Sequence, residues 1–186
     1  MTNSDSKQDF ELKKVTLNNQ GYIEKFYKWN CNENQLEHYT CRPVHKYFSF
    51  EEYNKSIITH MQNGVRLYAL KSINEENKIC GKVSLFDYNP RNYSAEFGYY
   101  LPQKYRGQGL GTTMVKLFLK HIFSNKELNI HKIYATTASG NNASIRLLES
   151  FGFHLDGKLR DHYWIGNNIQ DQFHYSLLKK EWGREL

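Results

Sequence analysis

Three glycines at alternating positions, Gly107, Gly109 and Gly111, sit between a strand-like run and an amphipathic helix in this chain of 186 residues. The segment reads Tyr99-Tyr100-Leu101-Pro102-Gln103-Lys104-Tyr105-Arg106-Gly107-Gln108-Gly109-Leu110-Gly111. Glycine lets a backbone take positive φ and come close to a ligand. The first turn of a helix leaves its N–H groups without intrahelical partners, and phosphate is well suited to them. Downstream, Leu110, Met114, Leu117, Phe118 and Ile122 share one face at helical spacing, which predicts a helix from about Gly109 to Phe123. Loop and helix together suggest a pyrophosphate cradle, with Arg106 and Lys104 adding positive charge. A Walker loop needs Gly-Lys-Ser/Thr, and here Gly111 runs directly into Thr112-Thr113. A dinucleotide fold needs G-x-G-x-x-G inside an early βαβ unit, and this loop reads G-x-G-x-G. Taken alone, the loop also fits a glycine-rich helix start with no ligand.

The rest of the chain sets the fold around that loop. FELKKVTL, from Phe10, reads as a strand. Asn18 or Asn19 caps a helix carrying Tyr22, Phe26 and Trp29. Residues 30–48 are polar and irregular, with Pro43 as a breaker. Ser49, with Glu51 and Glu52, starts a second helix that stops near Asn63-Gly64. VRLYALKSI, ICGKVSLFDY and SAEFGYYL follow as closely spaced strands, an antiparallel meander. After the glycine loop and its helix come the strand KIYATTA, a short helix from Asn141 to Phe151, and the strands GKLRDHYWI and IQDQFHYSLL. The last two form a hairpin across Gly166-Asn167-Asn168. The expected fold is α+β, three-layered, with a mixed and mostly antiparallel sheet of about seven strands and helices on both faces. Residues 1–9 read as a flexible tail and 10–186 as one domain.

Composition narrows the function classes. The net charge of +6 is spread along the chain, its tightest clusters being the pairs Lys13-Lys14 and Lys179-Lys180. No helix-turn-helix or zinc-finger spacing accompanies it, so no nucleic-acid partner is expected. Cys31, Cys41 and Cys80 are odd in number and lack CxxC spacing, which suits reduced thiols in the cytoplasm. No run of about 18 apolar residues marks a membrane span. The histidines near the C-terminal strands, His154, His162 and His174, show no metal-ligand spacing, and no metal is expected.

Several motifs, in order, carry a family resemblance. Arg106-x-x-Gly109-x-Gly111 resembles the R/Q-x-x-G-x-G/A signature of the GCN5-related N-acetyltransferases, the GNAT superfamily. Asn141-x-x-Ser144, then Leu147-Leu148-Glu149-Ser150-Phe151-Gly152-Phe153, resembles the family's N-x-x-S…L-x-x-x-G-F segment. Ala95-Glu96-Phe97-Gly98-Tyr99 is similar to the A-E-x-G-Y strand of the RimJ/RimL branch, and so is the ending Asp171…Tyr175-Ser176-Leu177-Leu178…Glu181-Trp182. The resemblance runs from about residue 10 to 182.

It implies an acetyl-CoA-dependent N-acetyltransferase, acting by direct attack in a ternary complex. The coenzyme A site would comprise Tyr99, Tyr100, Leu101, Arg106, Gly107, Gln108, Gly109, Leu110, Gly111, Thr112 and Asn141. In the family the strand before the loop splays from its neighbour and pairs with the cofactor. Amide formation needs a neutral amine and a proton for the departing thiolate. Glu96 is the candidate base and Ser144 the candidate acid; each also fits a purely structural hydrogen bond. The tyrosine that many relatives carry after the Asn motif is missing here, where the chain reads Ile145-Arg146-Leu147-Leu148. The implied acceptor is a protein N-terminal α-amine or a small amine such as a polyamine or aminoglycoside, and the implied assembly is a monomer or homodimer. A coenzyme A-binding module without activity stands as the alternative. Glu33, Glu37, His38, Tyr39 and Arg42 are candidates for the acceptor pocket.

Overall fold

The computed structural model describes residues 9–183 apart from 35, 39, 41, 43 and 77. Cys41, Pro43 and Tyr39 therefore lie outside the described residues, as does the expected tail except for Asp9. Asp9 is already tied to the fold. Its carbonyl accepts from the N–H of Ile73 at 2.9 Å, and its carboxylate accepts from the Asn74 amide at 2.9 Å.

Seven strands form one sheet: β1 (Phe10–Lys14), β2 (Arg66–Ser72), β3 (Ile79–Asn89), β4 (Ser94–Tyr100), β5 (Lys132–Ala138), β6 (His154–Ile165) and β7 (Asn168–Leu178). Their order is β1-β2-β3-β4-β5-β7-β6. Only β4 and β5 are parallel. The helices are α1 (Gln20–Asn32), α2 (Phe50–Gln62), α3 (Leu110–Ser124) and α4 (Asn142–Ser150). Short 3-10 turns lie at Leu36–His38 and Gln103–Tyr105. This is the expected α+β architecture. No helix among the described residues is long and apolar enough to cross a membrane.

Period-two alternation explains the three layers. On β2, Tyr68 and Leu70 face α3, while Leu67 and Ala69 face α1 and α2. The larger core gathers Met114, Val115, Phe118, Leu119 and Ile122 of α3 with Phe97, Ile133 and Leu177 of the sheet. Phe118 stacks on Phe97 with ring centres 5.3 Å apart. Each such fully buried side chain stabilises the fold by about 1.5–3 kcal/mol. The smaller core sets Ile23 and Phe26 of α1 and Tyr53 and Ile57 of α2 on the other face.

Local rules place most boundaries. Ser49 Oγ accepts from the N–H of Glu52 at 3.1 Å and caps α2. Asn19 precedes α1 as expected, but its carboxamide accepts from Thr16 instead of from the helix. β6 begins at His154, three residues before the expected start at Gly157, because its pairing with β7 extends to His154 opposite Ser176.

Candidate active site

The site opens where β4 and β5 part. They pair only at Ser94–Glu96 against Lys132–Tyr134. Beyond that point β4 stays paired to β3 as far as Tyr100 opposite Lys82, and β5 stays paired to β7 as far as Ala138 opposite Gln172. Each strand is thus held on its outer side, leaving the inner backbone groups of Phe97–Tyr100 without a strand partner. Such groups require a partner from elsewhere.

Two cavities meet at this wedge. The first, about 470 Å³, lies among the end of β4, the glycine loop and the start of α4. The second, about 520 Å³, lies on the opposite sheet face beneath α1 and α2. Phe97, Gly98, Tyr99, Tyr100 and Thr136 belong to both walls.

The glycine loop forms one end of the first cavity. Gly107 and Gly109 take φ of 73° and 75°, values that a Cβ would strain. Gly109 caps α3 without offering a side chain, and the first intrahelical bond runs from Thr113 N–H to its carbonyl. The N–H groups of Leu110, Gly111 and Thr112 are left at the helix mouth, where the helix dipole favours an anion. This donor set fits the pyrophosphate of coenzyme A.

Nine of the eleven residues expected for the coenzyme A site line this cavity, Tyr99, Tyr100, Leu101, Arg106, Gly107, Gly109, Gly111, Thr112 and Asn141, beside the candidate acid Ser144. Two do not. The Gln108 amide turns back to the Lys104 carbonyl at 2.8 Å, and Leu110 is buried in the core beneath the loop. Both retain backbone groups only for a ligand.

Arg106 acts as a strut more than as a free charge. Its Nε donates to the Leu101 carbonyl at 2.8 Å, and its Nη2 to Glu33 Oε2 at 2.7 Å. Glu33 Oε2 also accepts from the Tyr100 hydroxyl at 2.9 Å. Glu33, from the polar stretch after α1, therefore ties the loop to the far sheet face.

At the start of α4, Asn141 Oδ1 accepts from the Ser144 N–H at 3.2 Å, while its Nδ2 donates to the His38 carbonyl at 3.3 Å. It is a helix cap and a bridge to the 3-10 turn at once. Ser144 Oγ shares a hydrogen bond of 2.8 Å with the Tyr99 hydroxyl. Burial pushes the Tyr99 phenol up to about 12, with the Ser144 bond opposing. The phenol keeps its proton through the neutral range. Sequence reading valued Tyr99 for its backbone and missed this hydroxyl, although alternation along β4 puts it on the α4 side.

Glu96 faces the second cavity. Its Oε1 accepts from Thr136 Oγ1 at 3.0 Å, and its Oε2 lies 3.5 Å from Arg42 Nη2. Only 12% of its side chain is exposed. Burial raises its pKa above the usual carboxylate range, with Thr136 and Arg42 pulling the other way. A carboxylate so placed holds a proton more readily than a solvated one. Arg42 also donates to Asp87 at 2.5 Å and stacks on Phe86 at 4.6 Å. Of the other acceptor candidates, His38 lines the first cavity, and Glu37 accepts from the Gly166 N–H at 3.3 Å. Glu96 and Ser144 thus lie on opposite sides of β4, bracketing the junction. Among the described residues no cluster of three or more His, Cys, Asp or Glu could hold a metal ion.

Comparison with known proteins shows the family and the fold. The "Acetyltransferase (GNAT) domain" family matches residues 10–154. The "Putative ribosomal N-acetyltransferase YdaF" of Bacillus subtilis is 33% identical over 110 residues, and that match spans 59% of this chain and 59% of the relative. The spermidine N(1)-acetyltransferase of Vibrio cholerae is 27% identical over 163 residues, 87% of this chain and 90% of the relative. The crystal structure of spermidine N-acetyltransferase from Vibrio cholerae in complex with CoA and spermine superposes with a TM-score of 0.80 at 25% identity, covering 93% of this chain and 97% of that one. A dodecameric form of the Vibrio enzyme shares the fold, with a TM-score of 0.76 at 24% identity. The expectation of a monomer or homodimer gains no support from it. Since the family matches residues 10–154, most of this chain, the chain belongs to the acetyltransferase (GNAT) domain family.

Proposed function

We propose that the chain transfers the acetyl group of acetyl-CoA to a primary amine by direct attack in a ternary complex. The meeting of two cavities across Phe97–Tyr100 carries this reading, since each substrate then has its own entrance to one junction. Acetyl-CoA takes the first cavity. Its pyrophosphate lies on the N–H groups at the mouth of α3, and its pantetheine lies along the bare edge of β4. The amine enters from the second cavity.

Glu96, directly or through water, takes the ammonium proton. The amine nitrogen then bonds to the thioester carbonyl carbon, and the carbon–sulfur bond breaks. The thiolate takes a proton from Ser144, Tyr99 passes its own to Ser144, and the second proton, which the nitrogen sheds as the amide forms, returns to Tyr99 through solvent. Backbone N–H groups of β4 polarise the carbonyl. Motif likeness favours the RimJ/RimL-like branch, whose acceptors are protein N-terminal α-amines. The polyamine named for the Vibrio relative is a second acceptor class, and the two predict opposite acceptor preferences. Thiol release from acetyl-CoA, measured over a panel of peptides and small amines with mass spectrometry of the products, tests the reading. Acceptor-dependent thiol release with an acetylated amine supports it. Coenzyme A binding with no acetylated product from any amine overturns it and leaves the inactive-module alternative.

A further inference from the structure

Three cross-strand pairs stand in a row on the sheet face that floors the second cavity: Phe86 opposite Glu96, Ser84 opposite Gly98, and Lys82 opposite Tyr100. The candidate base is at one end. The middle pair is small, so the floor there is open. Lys82 is at the other end, roughly 13 Å along the strand from the Phe86–Glu96 pair at about 3.3 Å per residue.

Lys82 is half-buried, and its ammonium stands 5.4 Å from the ring centre of Phe26. No carboxylate among the described residues forms an ion pair with it. Burial alone pushes it down to about 8, so it remains charged at neutral pH. The other charges lining this cavity, Arg42 with Asp87 and Glu96, pair among themselves at the Phe86–Glu96 end of the row, away from Lys82. A desolvated cation without a counter-charge destabilises the site until a ligand brings an anion. Lys82 lines the second cavity and not the first, so that anion arrives with the acceptor and not with coenzyme A.

We propose that the acceptor is a primary amine whose own chain carries a carboxylate or another anion, held by Lys82 while the amine reaches Glu96, and that Lys82 disfavours polycations. This rests on the acetyl-transfer reading above. With a contact of about 3 Å at each end, a ligand lying along the strand between the two side chains spans about 7–10 Å from amine to anion. Amino acids with a terminal amine, short peptides and protein N-termini with an early acidic residue all meet that spacing.

The test compares ω-aminohexanoate with its neutral amide and with diaminohexane, in the native protein and in Lys82→Met and Lys82→Arg. Expected is a kcat/KM about tenfold or more higher for the carboxylate than for the amide, with diaminohexane poorest. Lys82→Met should erase that order and Lys82→Arg should keep it. A pair of short peptides with Glu or Gln at the second position identifies the source of the anion. Preference for Glu points to a protein N-terminus, and preference confined to aminohexanoate points to a free amino acid. No preference for the anion in either pair, or diaminohexane as the best acceptor, overturns the proposal. If no amine releases thiol, the acetyl-transfer reading has failed, and calorimetry of aminohexanoate with the coenzyme A-loaded protein decides on Lys82. Binding that Lys82→Met abolishes supports the anion site. Absent binding, or equal binding in the two proteins, refutes it.

Discussion

The Tyr99 hydroxyl and Ser144 Oγ lie 2.8 Å apart, joining the end of β4 to the first turn of α4 inside the first cavity. No tyrosine follows the Asn141 motif, and this pair puts a phenol in reach of the same space from another strand. Since burial holds Tyr99 up at about 12, the phenol is protonated at rest and has a proton to pass to Ser144. Ser144→Ala and Tyr99→Phe should each lower kcat, by about 10²-fold or more, with little change in the KM for acetyl-CoA. Acting as one unit, the double variant should fall no further than the worse single. Independent, multiplying losses in steady-state rates would show two separate roles.

Glu96 links rate and stability to pH in opposite senses. Its raised pKa means that the base is lost as pH falls through that value. The acidic limb of kcat/KM should therefore lie above the ordinary carboxylate range, and Glu96→Gln should flatten it while lowering turnover by about 10²–10⁴-fold. For folding the sign reverses. The native state binds the proton more tightly than the unfolded chain, so this group contributes stability at low pH that is lost as pH rises from the unfolded through the folded pKa. Glu96→Gln should melt no lower than the native protein at neutral pH, and higher if the charge is costly there. A lower Tm at neutral pH would show that the bonds to Thr136 and Arg42 outweigh burial.

The two glycines at the helix mouth should respond differently. A Cβ at Gly109 meets open space within the protein, but φ of 75° makes it strained. At Gly111 it meets Leu101 at 3.4 Å and Leu147 at 3.5 Å, an ordinary contact. Gly109→Ala should weaken acetyl-CoA binding by about tenfold through the displaced amides, at a stability cost of about 1–2 kcal/mol. Gly111→Ala should fold normally, whereas Gly111→Val crowds two leucines, so its lost affinity would not report on the pyrophosphate alone. Calorimetry with each folded variant checks this, and unchanged affinity in Gly109→Ala would remove the loop from the cofactor site.

Features set by nearby residues were legible in the sequence. The glycine loop, the Ser49 and Asn141 caps and the alternation that puts Glu96 and Tyr99 on opposite faces all follow from spacing. The wedge between β4 and β5 did not, because β7, some forty residues on, holds β5 in its place. Glu33 was legible as a polar candidate for the acceptor pocket, but its bonds to Arg106 and Tyr100 were not, because they join segments far apart in sequence. Lys82 gave no signal either: one lysine within ICGKVSLF reads as the solvent side of a strand, and only the cavity beneath α1 and α2 makes it a half-buried cation. Leu110 and Gln108 show the converse, since a motif fixes which backbone groups are presented but not where the side chains between them turn.

The central claim is that both substrates occupy the junction together and that the amine attacks the thioester directly. Initial rates of thiol release, measured over crossed concentrations of acetyl-CoA and an amine found to be acetylated, test it most directly. Direct attack in a ternary complex predicts double-reciprocal lines that intersect, and no acetylated protein when the amine is omitted. Parallel lines, together with an acetyl group retained on the protein, would contradict it.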